Sequence, residues 1–314
     1  MCNDCICIGT ALVDSIIKGF DPDPVSASGF RADSGSLNPG GEAVNGSIAA
    51  AKLGMKTSIL CHLGNDGAGE LVRLTLEENG VDTQLIVRSD EHATPVTTMF
   101  VNEDGTRKSI TNSAHRYNFH PERYVSCLAD TRAVILGSLF RAPFDDPEII
   151  HSVLSAAKEH GTLTVADTKL PNFIFLKLAD IAPSLPLIDY ITPNEDEAKY
   201  YTGKEEPEEM ADVFLDAGVK NVIIKLGGRG CFFKNANGSI ALPAYEINAV
   251  DATGAGDNFI AGFVCELLRG ADVSGALMFA NACGAICTGA VGAGTALKNR
   301  EQVMSFINDR RYDN

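Results

Sequence analysis

The sequence lacks the features of membrane, secreted and nucleic-acid-binding proteins. No apolar stretch approaches the roughly 20 residues that cross a bilayer. The N-terminus has no basic segment followed by an apolar core and a cleavage site. Basic residues are few, since 26 Lys and Arg stand against 41 Asp and Glu and give a net charge of −15. Such an acidic chain is repelled by nucleic acid and by anionic lipid. We therefore expect a cytoplasmic protein with neither nucleic acid nor membrane as a partner.

Several metal and cofactor motifs are also missing. The nine cysteines are an odd number scattered through apolar runs, and no second Cys or His pair at zinc spacing follows the C-x-x-C of Cys2 and Cys5. Core thiols in a reduced compartment are therefore expected. No Walker A motif, with its closing Gly-Lys-Ser/Thr, occurs in the chain. The glycine-rich residues 289–294 follow a predicted helix instead of preceding one, and this order excludes an NAD fingerprint.

What is present indicates one large α/β unit. The 314 residues are 45% hydrophobic and 21% charged, which is typical of a globular protein with a substantial core. Apolar strand patterns alternate with helical patterns, and this alternation predicts a mostly parallel sheet covered by helices. The predicted strands include residues 4–9, 57–63, 133–137, 163–166, 189–192 and 222–225. The last predicted helices are residues 255–268 and 274–288, where we expect the ordered part to end.

The alternation breaks at residues 94–111. Two β-like runs flank a glycine turn there, and this pattern predicts a β-hairpin. Together with the irregular stretch that follows Asp14, the hairpin is expected to form a small separate sheet. No linker, internal repeat or low-complexity tract divides the chain. We therefore expect a single domain that spans residues 1–314.

Residues 250–259 carry the clearest chemical signal. They follow a β-like segment predicted at residues 242–247 and lead into the helix predicted from residue 255. Gly254 and Gly256 let bare backbone approach a ligand, and the first N–H groups of a helix have no internal partners. With the helix dipole, these donors suit a phosphate oxygen. Asp257 lies in the first turn, where the same field is expected to favour the ionised carboxylate, so it can orient a hydroxyl and accept its proton.

Two motifs resemble the signatures of a known enzyme family. Residues 251–259, with the pattern Asp-x-Thr-Gly-Ala-Gly-Asp-x-Phe, are similar to the C-terminal signature of the ribokinase-like (PfkB) carbohydrate kinases. Gly40 and Gly41, with Asn45 one helical turn later, resemble the N-terminal signature. The resemblance covers nearly the whole chain. It implies a ribokinase-like three-layer α/β sandwich with a mostly parallel central sheet and a small β-sheet lid from about residues 14–38 and 94–113. Relatives often form homodimers through this lid.

The resemblance also implies a role for each matching residue. Asp257 is implied as the base, beside an anion hole formed by Gly254, Ala255, Gly256 and its own amide. The residues implied to bind a sugar are Asp14, Gly40, Gly41, Glu42 and Asn45. The residues implied to bind ATP are Asn194, Lys225, Gly227, Gly230, Asn281 and Gly292. Glu197, which shares a helix face with Asn194, is implied to act on Mg²⁺ through water, and Asp251 and Thr253 are implied to hold a K⁺ ion.

The sequence leaves the acceptor open. Glu42 stands where ribokinase often carries Lys, and this departure disfavours a phosphorylated substrate and makes ribose less certain. An inward-facing Arg107, Arg116 or Arg141 would favour a sugar acid. The resemblance therefore predicts ATP-dependent phosphorylation of a small sugar of ribose, fructose or sugar-acid type. Two alternatives remain, namely a nucleoside kinase of the same family and a non-catalytic sugar- or nucleotide-sensing relative.

Overall fold

The structure is a computed structural model that describes residues 3–19, 32–101, 106–112 and 119–311. In chain order, the strands are β1 (Asn3–Ile8), β2 (Leu12–Lys18), β3 (Ser34–Gly40), β4 (Thr57–Leu60), β5 (His62–Gly64), β6 (Val87–Ser89), β7 (Val96–Val101), β8 (Arg107–Thr111), β9 (Thr131–Leu139), β10 (Leu163–Thr168), β11 (Tyr190–Ile191), β12 (Asn221–Lys225), β13 (Cys231–Asn235) and β14 (Gly238–Leu242). The α-helices are α1 (Glu42–Lys52), α2 (Gly67–Glu78), α3 (Pro147–Glu159), α4 (Glu195–Thr202), α5 (Pro207–Asp216), α6 (Ala255–Leu268), α7 (Val273–Cys287) and α8 (Arg300–Arg311).

The main sheet confirms the predicted parallel architecture. Its strand order within the described residues is β14-β13-β12-β11-β10-β9-β1-β4. Neighbours among β4, β1, β9, β10, β11 and β12 pair in parallel. The sheet continues beyond β12 as the antiparallel hairpin of β13 and β14. Because the carboxyl ends of parallel strands lie at one edge, the segments that follow β1, β9, β10 and β12 meet there. Ligand sites of open α/β sheets form at this edge.

Helices cover both faces of the main sheet and create two cores. On β1, Cys5 and Cys7 belong to one core and Ile6 and Ile8 to the other, as the strand period of two requires. Helices α1, α2, α6, α7 and α8 pack on the first face, whereas α3, α4 and α5 pack on the second. The prediction of core thiols is therefore confirmed for Cys5 and Cys7. The result is the three-layer sandwich that the resemblance implied.

A second sheet stands apart from the main one, as predicted. It has the order β3-β2-β7-β8, with antiparallel pairs at both edges and a parallel pair between β2 and β7. We call these four strands the small sheet. Parts of the predicted lid at residues 20–31, 102–105 and 113 lie outside the described residues. Among the described residues, none of the helices combines the length and the hydrophobicity needed to cross a bilayer.

Three secondary-structure predictions were wrong. The strand predicted at residues 57–63 divides at Cys61, and β5 leaves the main sheet to pair with β6. The segment predicted as β-like at 242–247 is irregular beyond Leu242, because Pro243 has no N–H with which to continue the ladder. Ordered structure also does not end at residue 288. Helix α8 follows, with Val303 and Ile307 buried and with Met304 and Phe306 partly buried against the first core, but these apolar residues cover little more than one helical turn.

The packing of α6 against α7 depends on the absence of a side chain at Gly262. A Cβ atom there would lie 2.7 Å from the Sγ of Cys283 and 3.4 Å from the Cα of Ala280. We therefore predict that Gly262→Ala lowers the free energy of unfolding by about 1–3 kcal/mol through overpacking. The measurement is chemical denaturation. Cys283→Ala should recover part of the loss when combined with Gly262→Ala.

The matched control is Gly67→Ala at the start of α2, where a Cβ would meet nothing within 4 Å. This substitution should be neutral or slightly stabilising. Equal losses for Gly262→Ala and Gly67→Ala would contradict the proposed contact, because the cost would then be unrelated to α7.

Candidate active site

Two cavities adjoin at the N-terminus of α6. The first has a volume of about 570 Å³ and is lined by residues that include Asp14, Glu42, Asn45, Lys169 and Asp257. We call it the polar cavity. The second has a volume of about 880 Å³ and is lined by residues that include Lys225, Gly227, Gly230, Gly256 and Asn281. We call it the glycine-lined cavity. Residues 254–257 contribute to both walls, so the helix start separates one cavity from the other.

The start of α6 requires glycine at position 254. Gly254 has a φ of 76°, and a Cβ there would lie 2.7 Å from the Cα of Ala293. The amide of Ala255 donates to the carbonyl of Ala252 at 3.2 Å. The amide of Ala255 therefore already has an internal acceptor in this structure. The amides of Gly256 and Asp257, in the first turn of the helix, remain as the expected donors to a bound anion.

Asp257 lies in the wall of the polar cavity and has a perturbed acidity. Its Oδ2 accepts a hydrogen bond from Nδ2 of Asn45 at 2.8 Å. Desolvation raises the pKa of Asp257 to about 7, with Glu42 and Asp167 also raising it and Lys169 and Asn45 lowering it. Burial thus acts against the helix field that was expected to favour the ionised carboxylate. A carboxyl group with a pKa near 7 can accept a proton at neutral pH.

The predicted sugar-binding residues come together around the polar cavity. A Cβ at Gly40 would lie 2.5 Å from Oδ2 of Asp14, and a Cβ at Gly41 would lie 2.4 Å from the carbonyl of Thr10. Both glycines therefore allow the start of α1 to approach β2 closely. Glu42 and Asn45 project from the first turns of α1 into the same wall. Of the three arginines, Arg141 lines this cavity, whereas Arg116 and the side chain of Arg107 lie outside the described residues.

The predicted ATP-binding residues are only partly collected by the glycine-lined cavity. Lys225, Gly227, Gly230 and Asn281 lie in its wall. Gly292 lies elsewhere, and its amide donates to Oδ2 of Asp251 at 3.0 Å.

The implied potassium ligands form a hydrogen-bonded turn. Oδ1 of Asp251 accepts from the amide of Thr253 at 3.0 Å and from its hydroxyl at 2.7 Å. With the bond from Gly292, the carboxylate of Asp251 ties the turn before α6 to the loop after α7.

Asn194 and Glu197 form a reciprocal cap at the start of α4. The amide of Glu197 donates to Oδ1 of Asn194, and the amide of Asn194 donates to Oε2 of Glu197, both at 2.9 Å. The hydroxyl of Thr168 also donates to Oε2 of Glu197 at 2.9 Å. Burial and the neighbouring Asp167 raise the pKa of Glu197. Glu197 is therefore buried beside Asp167, whereas Asn194 is exposed, and neither is among the described residues that line the two cavities.

Sequence reasoning missed Asp167 and Lys169, which follow each other closely at the end of β10. Nζ of Lys225 donates to Oδ1 of Asp167 at 2.6 Å, and the residue Asp167 is 2% exposed. Nζ of Lys169 lies 3.9 Å from Oδ2 of Asp167 and 3.9 Å from Oε1 of Glu42. A signal was available, because charged residues at the carboxyl end of a buried parallel strand point to the ligand edge of the sheet. The predicted strand ended at residue 166, one residue before the signal.

The fold is a layered α/β sandwich with two cavities that adjoin at one helix start, and the comparisons show its family. Residues 3–300 match the model of the pfkB family carbohydrate kinases. A ribokinase from Staphylococcus aureus is 30% identical over 275 residues, which cover 84% of this chain and 86% of that protein. The chain belongs to the pfkB family of carbohydrate kinases, whose members are phosphotransferases with an alcohol group as acceptor.

Solved structures give the same fold. Arabidopsis thaliana ribokinase complexed with ribose and ATP superposes with a TM-score of 0.86 at 24% identity, and the match covers 98% of this chain and 99% of that one. A candidate ribokinase II from E. coli, in complex with ATP and Mg²⁺, gives a TM-score of 0.80 at 26% identity with coverage of 98% and 99%.

The unusual acidity of Asp257 gives a direct prediction. In carbon-13 NMR of the protein labelled at aspartate carboxyl groups, we expect one resonance to titrate near pH 7 and to be lost in Asp257→Asn. Asn45→Leu should move this titration to higher pH, because the hydrogen bond from Asn45 lowers the pKa of Asp257.

Asn65→Leu is the matched control. It also removes an Asn–Asp hydrogen bond, from Nδ2 of Asn65 to Oδ1 of Asp90 at 2.6 Å, but at the surface. Asn65→Leu should leave the titration near pH 7 unchanged. A titration of Asp257 near pH 4 would refute the effect of burial on this carboxyl group.

Proposed function

We propose that the protein transfers the γ-phosphoryl group of ATP to a hydroxyl of a small unphosphorylated sugar, with Asp257 as the base. The observation that carries this proposal is the position of Asp257 at the helix start that separates the two cavities. A sugar in the polar cavity and a nucleotide in the glycine-lined cavity would meet at residues 254–257. This arrangement suits a transfer reaction in which the donor nucleotide and the acceptor sugar bind on opposite sides of the turn.

The polar cavity supports a neutral or singly charged acceptor. The carboxylates of Asp14 and Glu42 can accept hydrogen bonds from sugar hydroxyls, and the amide of Asn45 can both donate and accept. The same carboxylates would repel a phosphate already present on the sugar. Arg141 lines the cavity while its Nε donates to the carbonyl of Leu170, so a sugar acid stays within the proposed range together with ribose and fructose.

The glycine-lined cavity supports ATP. Gly227 has a φ of 57° and Gly230 a φ of 97°, so the loop after β12 presents backbone where side chains would otherwise stand. A Cβ at Gly230 would lie 2.0 Å from the carbonyl of Leu242. Nζ of Lys225 lies 3.2 Å from where a Cβ of Gly256 would stand, so its charge is beside the helix start. This placement suits the terminal phosphates.

Magnesium fits the carboxylates behind Lys225. In the described part of the chain, no three His, Cys, Asp or Glu side chains converge as a metal cage. Mg²⁺ commonly binds through one or two carboxylates, water and the phosphates of the substrate. Asp167 raises the pKa of Glu197 by like-charge repulsion, and a nearby divalent cation would relieve this repulsion. When bound, Mg²⁺ would neutralise phosphate charge, and Glu197 would act on it through water.

In the proposed reaction, the bond between the γ-phosphorus and its bridging oxygen breaks, and ADP leaves. The acceptor oxygen forms the new bond to phosphorus, and its proton passes to the carboxylate of Asp257. The amides of Gly256 and Asp257 donate to the oxygens of the transferred group. Motion of the small sheet, whose strand β2 carries Asp14, would exclude water and so prevent hydrolysis of ATP.

We also propose that K⁺ acts at the turn formed by Asp251 and Thr253. Asp251 already links this turn to the loop that carries Gly292, so a monovalent cation here would adjust the position of the helix start. Replacement of K⁺ by choline in the assay below tests the requirement.

Two other functions are not favoured. A nucleoside kinase would need an apolar or aromatic slot for the base, yet the described wall of the polar cavity is mostly polar and its one aromatic residue, Phe173, is 65% exposed. Met99 and Phe100 do not line it. A sensor without activity would have no use for a proton acceptor with a pKa of about 7 beside a cradle of helix amides.

The decisive experiment measures ADP release from ATP and Mg²⁺ with neutral sugars, sugar acids, sugar phosphates and nucleosides as acceptors. We expect turnover with a neutral sugar or a sugar acid and an acid limb of kcat/KM near pH 7, because Asp257 must be ionised to act as base. Asp257→Asn should lower kcat by about 10²–10⁴-fold. ATP should still bind, since the side chain belongs to the polar cavity.

Glu301→Gln, at an exposed position at the start of α8 that lines neither cavity, is the control and should leave kcat unchanged. Failure of every acceptor with the wild-type protein, while ATP still binds, would reject the kinase proposal for the compounds tested. Turnover with nucleosides alone would replace the acceptor class.

We propose a homodimer that forms through the small sheet. Its edge strands β3 and β8 expose Leu37 (62%) and Ile110 (71%), and pairing with a second copy would cover both the apolar side chains and the strand edges. Leu37→Asp combined with Ile110→Asp should therefore yield a monomer in sedimentation analysis. Leu74→Asp, which charges an exposed site on α2, should leave the dimer intact. A monomeric wild-type protein would disprove the dimer.

A further inference from the structure

Lys169 faces the polar cavity opposite the helix start. It follows β10 directly and lines the same cavity as Asp257 and Glu42. Its side chain is 28% exposed, so its ammonium group can contact a ligand in the cavity. The surrounding carboxylates raise the pKa of Lys169 despite its burial, so the group stays charged at neutral pH.

The contacts of the Lys169 ammonium group with the two neighbouring carboxylates are longer than hydrogen bonds. Its Nζ lies 3.9 Å from Oε1 of Glu42 and 3.9 Å from Oδ2 of Asp167, beyond the usual limit of about 3.2 Å. Lys225, by contrast, forms a charge-assisted hydrogen bond of 2.6 Å with the other oxygen of Asp167. The buried carboxylate of Asp167 thus lies between two lysines. It accepts a hydrogen bond from Lys225, whereas Lys169 interacts with it only at the longer distance.

The two lysines lie on opposite sides of the helix start. Lys225 lines the glycine-lined cavity beside Gly256, and Lys169 lines the polar cavity beside Asp257. A phosphoryl group that crosses from one cavity to the other therefore passes between two positive charges. During transfer its charge spreads over the equatorial oxygens, where fixed cations stabilise it most.

Resting on the proposed function, we propose that Lys169 contacts the phosphoryl group on the acceptor side during transfer, while Lys225 holds it on the donor side. Asp167 positions both ammonium groups. Lys169 remains protonated throughout, so the acceptor proton still goes to Asp257 and the electron balance of the transfer is unchanged. The group is catalytic in the strict sense, because it touches the reacting atoms.

Lys169→Met tests this inference in the kinase assay. We expect kcat to fall by about 10²–10³-fold, as when one donor to a developing oxyanion is removed, with little change in ATP affinity. Lys225→Met should instead weaken ATP binding. Lys169→Arg keeps the charge and should recover part of kcat.

The pH profile distinguishes an electrostatic role of Lys169 from mere structural support. The groups that act on Asp257 are Lys169 and Asn45, which lower its pKa, and Glu42 and Asp167, which raise it. Loss of Lys169 should therefore move the acid limb of kcat/KM to higher pH, whereas Lys169→Arg should leave it in place. A purely structural role would lower the melting temperature and leave both the limb and kcat unchanged.

The chain offers a matched control at Asp189. This carboxylate also stands between two lysines, since Lys158 donates to Oδ2 and Lys220 to Oδ1. Lys220→Met removes one of them far from both cavities and should leave kcat and the pH profile unchanged. If Lys169→Met does not fold, Lys169→Gln takes its place.

Each outcome is decisive. Wild-type turnover with an unchanged kcat and acid limb in Lys169→Met would overturn this inference and leave the kinase proposal standing. Absence of wild-type turnover with every acceptor would overturn both.

Discussion

The left-handed turn at Gly254 is the constraint on which both cavities depend. Any side chain there would collide with Ala293, so the loop after α7 packs directly on the turn that starts α6. Nδ2 of Asn258 donates to the carbonyl of Ala293 at 2.8 Å, and Asp251 bonds the amide of Gly292. The loop after α7 therefore holds the start of α6 through several contacts at residues 251–258. Because it is fixed, its amides can be directed at a ligand without any cost of reorganisation at the moment of reaction.

The second constraint is the buried charge of Asp167, which several neighbouring groups compensate together. Asp167 is almost fully buried and would be costly to ionise alone. It is compensated by the short bond from Lys225, by the more distant Lys169 and by the hydroxyl of Thr192 at 3.3 Å. Glu197 uses the amide of Asn194 and a threonine hydroxyl instead. The cations therefore end up at the cavity walls, where negative substrates need them.

Most of the architecture could be predicted from local patterns. Strand and helix periods gave the layered sheet, and glycine positions gave the turns at Gly41 and Gly254, because these signals depend on neighbouring residues alone. The division at Cys61 could not be foreseen. It depends on whether residues 62–64 continue the pairing with β1 or pair with β6, which lies more than 20 residues later in the chain. Helix α8 was missed because its apolar residues, Val303 to Ile307, cover little more than one helical turn.

The residues of the candidate site also differ in whether local patterns could predict them. Residues within the two signatures could be placed by their motifs. The bond between Asn45 and Asp257 joins residues 212 positions apart, and the pair of Asp167 and Lys225 spans 58 positions. Such pairs depend on the order of strands in the sheet, which local patterns do not encode. The raised pKa of Asp257 could not be foreseen for the same reason, because the helix field is a local property whereas burial depends on the tertiary fold.

The acidity of Asp257 also couples the two cavities. A carboxyl group with a pKa of about 7 is partly protonated in the free protein at neutral pH, and a negatively charged phosphate beside it raises its proton affinity further. Higher affinity makes the group a stronger base, but it also lowers the fraction that is ionised and ready to act. The positive charge of Lys169, which lowers the pKa of Asp257, limits this rise. The lysine proposed to contact the phosphoryl group would thus also keep the pKa of the base close to neutral pH.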